Sequence, residues 1–424
     1  MPVTIEEALQ DIEQGKFVIV VDEAADYNTG DLIIAAQFAD ATAINYMMTK
    51  ARGLLCVAMM EERLDELDLP SMAAERRGDR TSQEGRRGPA FTVSVDAAEG
   101  VVSGDTAADR ATTIRSLISG GTQPNDLVRP GHVFPIRATE GGTLVRVGHT
   151  EAAVDLARLA GLYPAGVLSQ ILKDDGNVAD MEELEKFAAA EQLRIVTIAD
   201  IIRFRRRTER LVERETSAHL PTLYGDFEAI TYRSKLDGNL YIALTKGDLK
   251  NCAAECGGAP LVRVHSGCVT GDALGSLKCD CGWQLHAALE AIEEAGCGVV
   301  LYIPSHEGRG IGLANKIKAY HLQDNGYDTV EANEALGFPA DMRDYGLGAQ
   351  VLADLGITRM RLMTNNPAKY TAMGGYGLEV VERIPLEAPS TPYSASYLRT
   401  KQEKLGHLLH QGCDEQCEAE THEE

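Results

Sequence analysis

The sequence predicts a mixed α/β (α+β) protein built as two domains in series. Three observations lead there. The chain has 424 residues, more than one ordinary core organises, so the usual domain size gives two or three units. Hydrophobic residues make up 44% and charged residues 25%, the composition of a globular chain that buries a full core without staples. Short apolar runs rich in Val and Ile alternate with helical-period segments in both halves of the chain.

In order along the chain, FVIVVD (17–22) predicts a strand, AINYMMTKARGLL (43–55) a helix, FTVSVDA (91–97) a strand and HTEAAVDLARLAGL (149–162) a helix. The segment RFRRRTERLVERETSAHLPTLYGDF (203–227) is dense in charge and ends in Pro and Gly turn signals, which suits a helix leading into a linker. A boundary near 208 divides the chain into domains 1–207 and 208–410. Beyond it AITYRSKLDGNLYIALTKG (229–247) predicts a β-hairpin, and LVRVHS, GVVLYI and MRLMT predict strands. Helices are expected around QLHAALEAIEEAG and AQVLADLGI. Residues 411–424 are acidic and poor in apolar side chains, so a disordered tail is expected.

The formal charge of -23 repels polyanions, so no nucleic-acid partner is expected. A small anionic substrate needs a local cluster of Arg, Lys and backbone amides working against that field. The amino terminus has no basic stretch followed by an apolar run, and no segment offers about twenty consecutive apolar residues. No membrane partner and a cytoplasmic location are the expectations. The cysteine count is nine, odd and unevenly spaced, which argues for reduced thiols or metal ligands rather than a disulfide framework.

Cys268, Cys279 and Cys281 stand in HSGCVTGDALGSLKCDCG, where one cysteine precedes a Cys-x-Cys pair by a hairpin's length. Three thiolates leave one tetrahedral position of Zn²⁺ open for a water, which the metal acidifies into a nucleophile for an electron-poor carbon. Unligated cysteines, or a closed zinc site completed by Cys252, Cys256 or a histidine, are the alternatives from spacing alone. The pairs Cys252/Cys256 and Cys413/Cys417 read as incidental thiols, and Cys56 and Cys297 as core filling.

HEGRGIGLANKIKAY places Glu307, Arg309, Lys316 and Lys318 around a glycine-rich turn that opens a helix, an arrangement that presents backbone amides to phosphate. FPADMRDYG carries Asp341, Arg343 and Asp344, and LMTNNPAKY carries Thr364, Asn365, Asn366 and Lys369 after a strand. None of these motifs alone names a reaction.

Taken together, HSGCVTGD, SLKCDCGWQLHAAL, EGRGIGLANKIKAYHLQDNGYDTVEAN, LGFPADMRDYG and LMTNNPAKY resemble GTP cyclohydrolase II in order and spacing over about residues 208–410. The resemblance implies that Cys268, Cys279 and Cys281 hold zinc and that hydrolysis at C8 of guanine opens the imidazole ring. It makes Asp341 the proton acceptor and Arg343 a nucleophile toward the α-phosphorus, with formate and pyrophosphate as leaving products. It puts Arg263, Gln284, Glu307, Arg309, Tyr320, Thr329, Thr364 and Lys369 at GTP-contact positions, adds Mg²⁺ with the triphosphate, and implies a homodimer. Two departures stand out: Gly267 replaces the family's Glu after His-Ser, and Pro304-Ser305-His306-Glu307-Gly308-Arg309 replaces Arg-Gln-Glu-Gly-Arg, one residue longer and without the first arginine.

The amino-terminal half resembles 3,4-dihydroxy-2-butanone 4-phosphate synthase over about residues 3–205, through ALQDIEQGKFVIVVD, FTVSVDAAEG, TAADRATTI, PGHVFPIRATEGGTLVRVGHTEAAVDLARLAG and GVLSQILKDDG. That family's acidic loop, Arg-Glu-Asn-Glu-Gly-Asp, here reads Asp26-Tyr27-Asn28-Thr29-Gly30-Asp31, and a later catalytic Glu is Gln170. Arg146, His149, Thr150 and Asp31 persist. Enolising a sugar phosphate on Mg²⁺ needs hard oxygen ligands and a general base, which neither Tyr27 nor Gln170 supplies. The expectation is a GTP cyclohydrolase II carrying an inactive synthase-like domain, against the alternatives of a bifunctional enzyme and a non-catalytic regulatory homologue.

Overall fold

The computed structural model describes residues 4–408 apart from 24–28, 73–89, 253–257, 340, 344, 367–368, 370–372, 374–375, 390, 405 and 407. The expected tail 411–424, and Asp26, Tyr27 and Asn28 of the acidic loop, lie outside the described residues. The chain divides into two compact units, Met1–Thr208 and Glu209–Glu424.

The first unit is a seven-stranded sheet of β1 (Val18–Val21), β2 (Gly30–Ala35), β3 (Cys56–Met60), β4 (Val95–Ala97), β5 (Leu127–Ala138), β6 (Ala165–Gln170) and β7 (Arg194–Thr197), in the order β4-β5-β3-β6-β2-β1-β7. Its helices are α1 (Ile5–Glu13), α2 (Ala41–Lys50), α3 (Glu61–Glu66), α4 (Ala107–Ile118), α5 (His149–Leu159), α6 (Met181–Glu191) and α7 (Ile198–Thr208). Alternation along β1 explains the layering. Val18 and Val20 face one core with Ala8 and Ile12 of α1, Ala152 and Leu156 of α5 and Ile201 of α7. Ile19 and Val21 face the other with Ile44 and Met47 of α2, Ile114 of α4 and Leu184 of α6. Each fully buried aliphatic side chain contributes roughly 1.5–3 kcal/mol. Helix starts follow local chemistry: Thr4 accepts from Glu7 N while Thr4 N donates to the Glu7 carboxylate, and Asp40 and Asp180 cap α2 and α6.

The second unit has a sheet of β8 (Val212–Thr222), β9 (Gly225–Ser234), β10 (Leu240–Lys246), β11 (Leu261–Ser266), β12 (Gly298–Ile303), β13 (Arg359–Met363) and β14 (Glu379–Ile384), in the order β14-β13-β11-β12-β10-β9-β8. Strands β14, β13, β11 and β12 run parallel, and β10, β9 and β8 add antiparallel. Helices are α8 (Cys281–Ala295), α9 (Gly312–Gln323), α10 (Thr329–Ala335), α11 (Gly346–Asp354) and α12 (Ala395–Glu403). Along β12, Val299, Leu301 and Ile303 pack with Val351 and Leu352 of α11. Val300 points the other way, onto Ala288, Leu289 and Ile292 of α8.

The linker expected after 208 is corrected by the structure. After α7 the chain enters β8, which pairs with β9 through Thr222 and Gly225. Charge hid this strand: every residue from Glu213 to Pro221 is exposed, so no apolar alternation marks a buried face. The cysteine reading also changes, because Cys252 and Cys297 form a disulfide with a Cα–Cα distance of 6.1 Å. Antiparallel pairing of Lys246 with Gly298 returns the loop after β10 to the start of β12, a proximity that a separation of 45 residues does not reveal.

Candidate active site

The site stands at the carboxyl ends of three neighbouring parallel strands, β13, β11 and β12, where an open α/β sheet presents its loops to ligand. Gly267–Cys268 follow β11, Pro304–Arg309 follow β12, and Thr364–Asn366 follow β13. An open cleft is lined by residues from all three, with α8, α9, α10 and α12 around them.

The thiol cluster is built by one wide turn and one helix start. Between Cys268 and Cys279 the chain makes a turn at Val269–Ala273, closed by Leu274 N to Val269 O at 3.1 Å, the i→i+5 pattern that marks many functional sites. Glycine is required where this turn meets the thiols: a Cβ on Gly271 would stand 2.9 Å from Cys279 Sγ and 3.0 Å from Cys268 Sγ, and one on Gly282 only 2.3 Å from Gly271 O. The three sulfurs lie within 4.8 Å of one another, and Cys268 and Cys279 are 3.6 Å apart. Tetrahedral bonds of about 2.3 Å place thiolate sulfurs about 3.8 Å apart, so the cluster fits zinc. Hydrogen bonds from Cys279 and Cys281, and then from Lys316, push the Cys268 thiol far below its ordinary value. Its neighbours move the other way, Cys279 to about 11, because a thiolate already stands beside them. Full ionisation of such a cluster requires a cation.

A second layer fixes the thiolates. Lys316 Nζ donates to Cys268 Sγ at 2.9 Å and to Glu307 Oε1 at 2.6 Å, and Glu307 Oε2 accepts from Val269 N at 2.6 Å. Asp272 accepts from Cys268 N at 2.8 Å and from the Tyr302 hydroxyl at 3.0 Å. Tyr320 meets Thr270 Oγ1 at 3.2 Å.

The same cleft gathers cations. Arg263 is buried on β11 and donates to Met363 O at 3.0 Å and to Gln284 Oε1 at 2.5 Å. Lys369 donates to Val264 O at 2.9 Å; burial, with Arg263 and Arg343 nearby, pushes its ammonium well below the usual lysine range. Arg309 has left-handed backbone at φ +65° and is 8% exposed, and its Nη1 and Nη2 meet no hydrogen-bond partner among the described residues. Two orphan guanidinium nitrogens in a cleft call for an anion. Arg343 grips Asp341 through Nε at 2.8 Å and Nη2 at 2.5 Å, and reaches Ser266 Oγ with Nη1 at 3.4 Å. Burial works against the Asp341 carboxylate, but Arg343 holds it below its ordinary value.

Of the residues singled out from sequence, Arg263, Cys268, Cys279, Cys281, Gln284, Arg309, Tyr320, Thr329, Arg343, Thr364 and Lys369 line this one cleft. Glu307 and Asp341 sit behind it, the first on Lys316 and Val269, the second on Arg343. The two departures from the family pattern touch: Gly267 N donates to Ile303 O at 2.9 Å, and a Cβ on Gly267 would be 3.0 Å from Pro304 Cα. Sequence reasoning missed the cleft residues Lys278, Asn333, Tyr397 and Lys401, which carry no motif spacing of their own.

Family profiles match both halves: GTP cyclohydrolase II over residues 213–385 and 3,4-dihydroxy-2-butanone 4-phosphate synthase over 6–204. The riboflavin biosynthesis protein RibBA of Aquifex aeolicus is 53% identical over 96% of this chain and 98% of that protein. The chain belongs to the RibBA family. RibBA of Synechocystis is 54% identical over 96% of this chain and 71% of that protein, and a bifunctional riboflavin biosynthesis protein of Arabidopsis thaliana is 50% identical over 96% and 73%. Among solved structures, RibBX of A. baumannii, a two-domain 3,4-dihydroxy-2-butanone 4-phosphate synthase, superposes with a TM-score of 0.63 at 35% identity over 91% of this chain and 100% of that one. The carboxy-terminal unit of this RibBA-family chain is accordingly a GTP cyclohydrolase II, a hydrolase of riboflavin biosynthesis, with GTP as its substrate. No helix among the described residues is long and apolar enough to cross a membrane.

In the synthase-like unit the retained residues converge. Asp31 and Gln170 face each other directly across β2 and β6, and His149 Nε2 is 3.2 Å from Thr29 O. Burial raises the Asp31 carboxyl above its ordinary value, with His149 opposing the shift. Arg146 donates to buried Glu151 at 3.2 Å.

Proposed function

We propose that the carboxy-terminal unit opens the imidazole ring of GTP by zinc-dependent hydrolysis, releasing formate and pyrophosphate and leaving 2,5-diamino-6-(5-phosphoribosylamino)pyrimidin-4-one for riboflavin or a related product. The observation that carries this reading is a thiol cluster facing one cleft with buried Arg309, whose Nη1 and Nη2 have no hydrogen-bond partner among the described residues. Cys268, Cys279 and Cys281 hold the metal, which when bound supplies an acidified water for attack on carbon. Arg263, Arg309 and Lys369 bind the triphosphate, which brings Mg²⁺ with it, while Gln284, Tyr320, Thr329 and Thr364 orient the nucleoside and Glu307 holds Lys316 against the Cys268 sulfur. Arg343 attacks the α-phosphorus and displaces pyrophosphate, Asp341 takes the proton that Arg343 must lose, and water then cleaves the P–N bond, leaving the 5′-phosphate on the product and returning the proton to Arg343. The bidentate contact puts the Asp341 carboxylate within hydrogen-bond distance of Arg343 Nε and Nη2, a direct path for that proton. A cytoplasmic homodimer completes the proposal, which sedimentation velocity and fractionation check.

Incubating zinc-loaded protein with GTP and Mg²⁺, and following formate, pyrophosphate and the diaminopyrimidine by mass spectrometry, tests the reading with Cys279→Ser as control. Absence of turnover with zinc bound refutes it. We also propose that the amino-terminal unit makes no 3,4-dihydroxy-2-butanone 4-phosphate, because Gln170 opposite Asp31 accepts no proton. The bifunctional reading is favoured instead by the full-length likeness to proteins named as bifunctional. Ribulose 5-phosphate with Mg²⁺ decides between them: formation of the butanone phosphate establishes the bifunctional enzyme.

A further inference from the structure

Helix α12 and the residues that follow it are fastened to three separate parts of the cleft. Lys401 Nζ donates to Asp280 Oδ1 at 2.6 Å, with both side chains buried. Asp280 stands between Cys279 and Cys281; its other oxygen accepts from Gln284 Nε2 at 2.7 Å, and Gln284 Oε1 accepts from Arg263 Nη2 at 2.5 Å. A continuous buried chain therefore runs from α12 past the thiols to a cation on the cleft floor. Lys404 pairs with Asp328 and, at 2.9 Å, with Glu331, gripping the start of α10 beside Thr329. Leu408 N donates to Asn365 O at 2.9 Å, on the turn after β13.

Tyr397, one turn before Lys401, lines the same cleft, and Lys401 Nζ lies 4.5 Å from its ring centroid. The same Lys401 Nζ is 2.6 Å from Asp280, the residue between Cys279 and Cys281, so the ring stands beside the thiol-bearing turn, with Arg309 also near its hydroxyl. On the reading of GTP as substrate, the base comes to the thiols, because the attacked carbon must approach the metal. An aromatic face there offers the stacking that every purine accepts.

We propose that α12 completes the nucleotide site: Tyr397 packs its ring on the purine base, and Lys401 is a positioning residue that fixes Arg263 through Asp280 and Gln284. The proposal rests on the cyclohydrolase reading for the identity of the base. Its test uses the full zinc-loaded chain and the variants Tyr397→Phe, Tyr397→Leu, Lys401→Arg and Lys401→Met. The measurements are KM and kcat for GTP, Kd for guanosine 5′-(β,γ-imido)triphosphate, Kd for inorganic tripolyphosphate, and zinc content. Tyr397→Phe keeps nucleotide affinity within about twofold, whereas Tyr397→Leu weakens it about 5- to 100-fold with tripolyphosphate affinity and zinc content unchanged. Lys401→Met weakens tripolyphosphate as well as nucleotide, because Arg263 loses its brace, and Lys401→Arg restores most of both. Nucleotide affinity unchanged in Tyr397→Leu, or a matching loss for tripolyphosphate, overturns the assignment of Tyr397. Unaltered binding of both ligands by Lys401→Met overturns that of Lys401. If the wild type binds the analogue but does not open GTP, the cyclohydrolase reading fails, and the Kd comparison still decides the role of α12.

Discussion

Arg309→Met is expected to make the protein more stable and a worse enzyme. The guanidinium is buried, at 8% exposure, and neither Nη1 nor Nη2 has a hydrogen-bond partner among the described residues. A buried donor left unsatisfied costs about 1–3 kcal/mol. Methionine keeps much of the apolar stem and removes both orphans, while the strained backbone at φ +65° is common to both side chains. A gain of about 1–3 kcal/mol follows, which for a unit of this size raises its Tm by about 2–12 °C. Loss of a charge-assisted hydrogen bond to phosphate costs about 1.5–3 kcal/mol, so affinity for GTP falls about 10- to 150-fold. Differential scanning calorimetry without nucleotide and steady-state kinetics with it measure the two effects on one preparation. A lowered Tm together with an unchanged KM would show that Arg309 is a structural cation whose partners are satisfied, and the argument for an anion site would fail with it.

Three further outcomes follow from the same geometry. Lys316→Met removes the donor at 2.9 Å from Cys268 Sγ and takes from Glu307 Oε1 its ammonium partner, so zinc affinity falls roughly 10- to 100-fold, read by competition with a chromogenic chelator; unchanged affinity would mean that Lys316 does not tune the thiolate. Asp341 is depressed below its ordinary 3.8 by Arg343, so the pair's contribution to stability is full above pH 3.8 and is lost as pH falls through the folded value. Urea titrations between pH 5 and 2 should therefore show a shallower acid loss for Asp341→Asn than for wild type. Reducing the bond between Cys252 and Cys297 opens a loop with a sequence separation of 45, worth about 4 kcal/mol by loop entropy, and dithiothreitol is expected to lower the Tm of the carboxy-terminal unit unless Cys252→Ser is already present.

The legible parts of this protein are those where one chemical requirement acts on neighbouring residues. Val18–Val21 announces a strand buried on both faces, and Cys268, Cys279 and Cys281 announce soft ligands brought together by a turn. What stayed hidden depends on distant residues meeting. β8 is held by backbone pairing to β9 with exposed charged side chains, so hydrophobic periodicity had nothing to register. Lys401 reaches Asp280 across a separation of 121 residues, and neither belongs to a pattern that singles it out. The orphan state of Arg309 is a property of what surrounds the side chain, and a glycine-rich turn in sequence shows only where such a side chain could be carried.

The two departures from the cyclohydrolase pattern are one change. Gly267 and Pro304 follow paired strands, and a side chain at 267 would meet Ile303 O and Pro304 Cα at 3.0 Å. A Cβ held that tightly needs the neighbouring backbone to give way, and Pro304 sits on a backbone whose φ is fixed by its ring. Gly in place of Glu at 267 and the missing arginine in the loop after β12 remove one negative and one positive charge from neighbouring loops, so the net local charge is unchanged. His306, from the longer loop, stands 3.3 Å from Ser266 Oγ and edge-on to Tyr345 at 5.2 Å, on the side where Arg343 also reaches Ser266. The cations facing the cleft, Arg263, Arg309, Arg343 and Lys369, are all retained. The altered loop therefore bears on how Arg343 is seated and leaves the attraction for a triphosphate in place, which is why the GTP reading survives both departures.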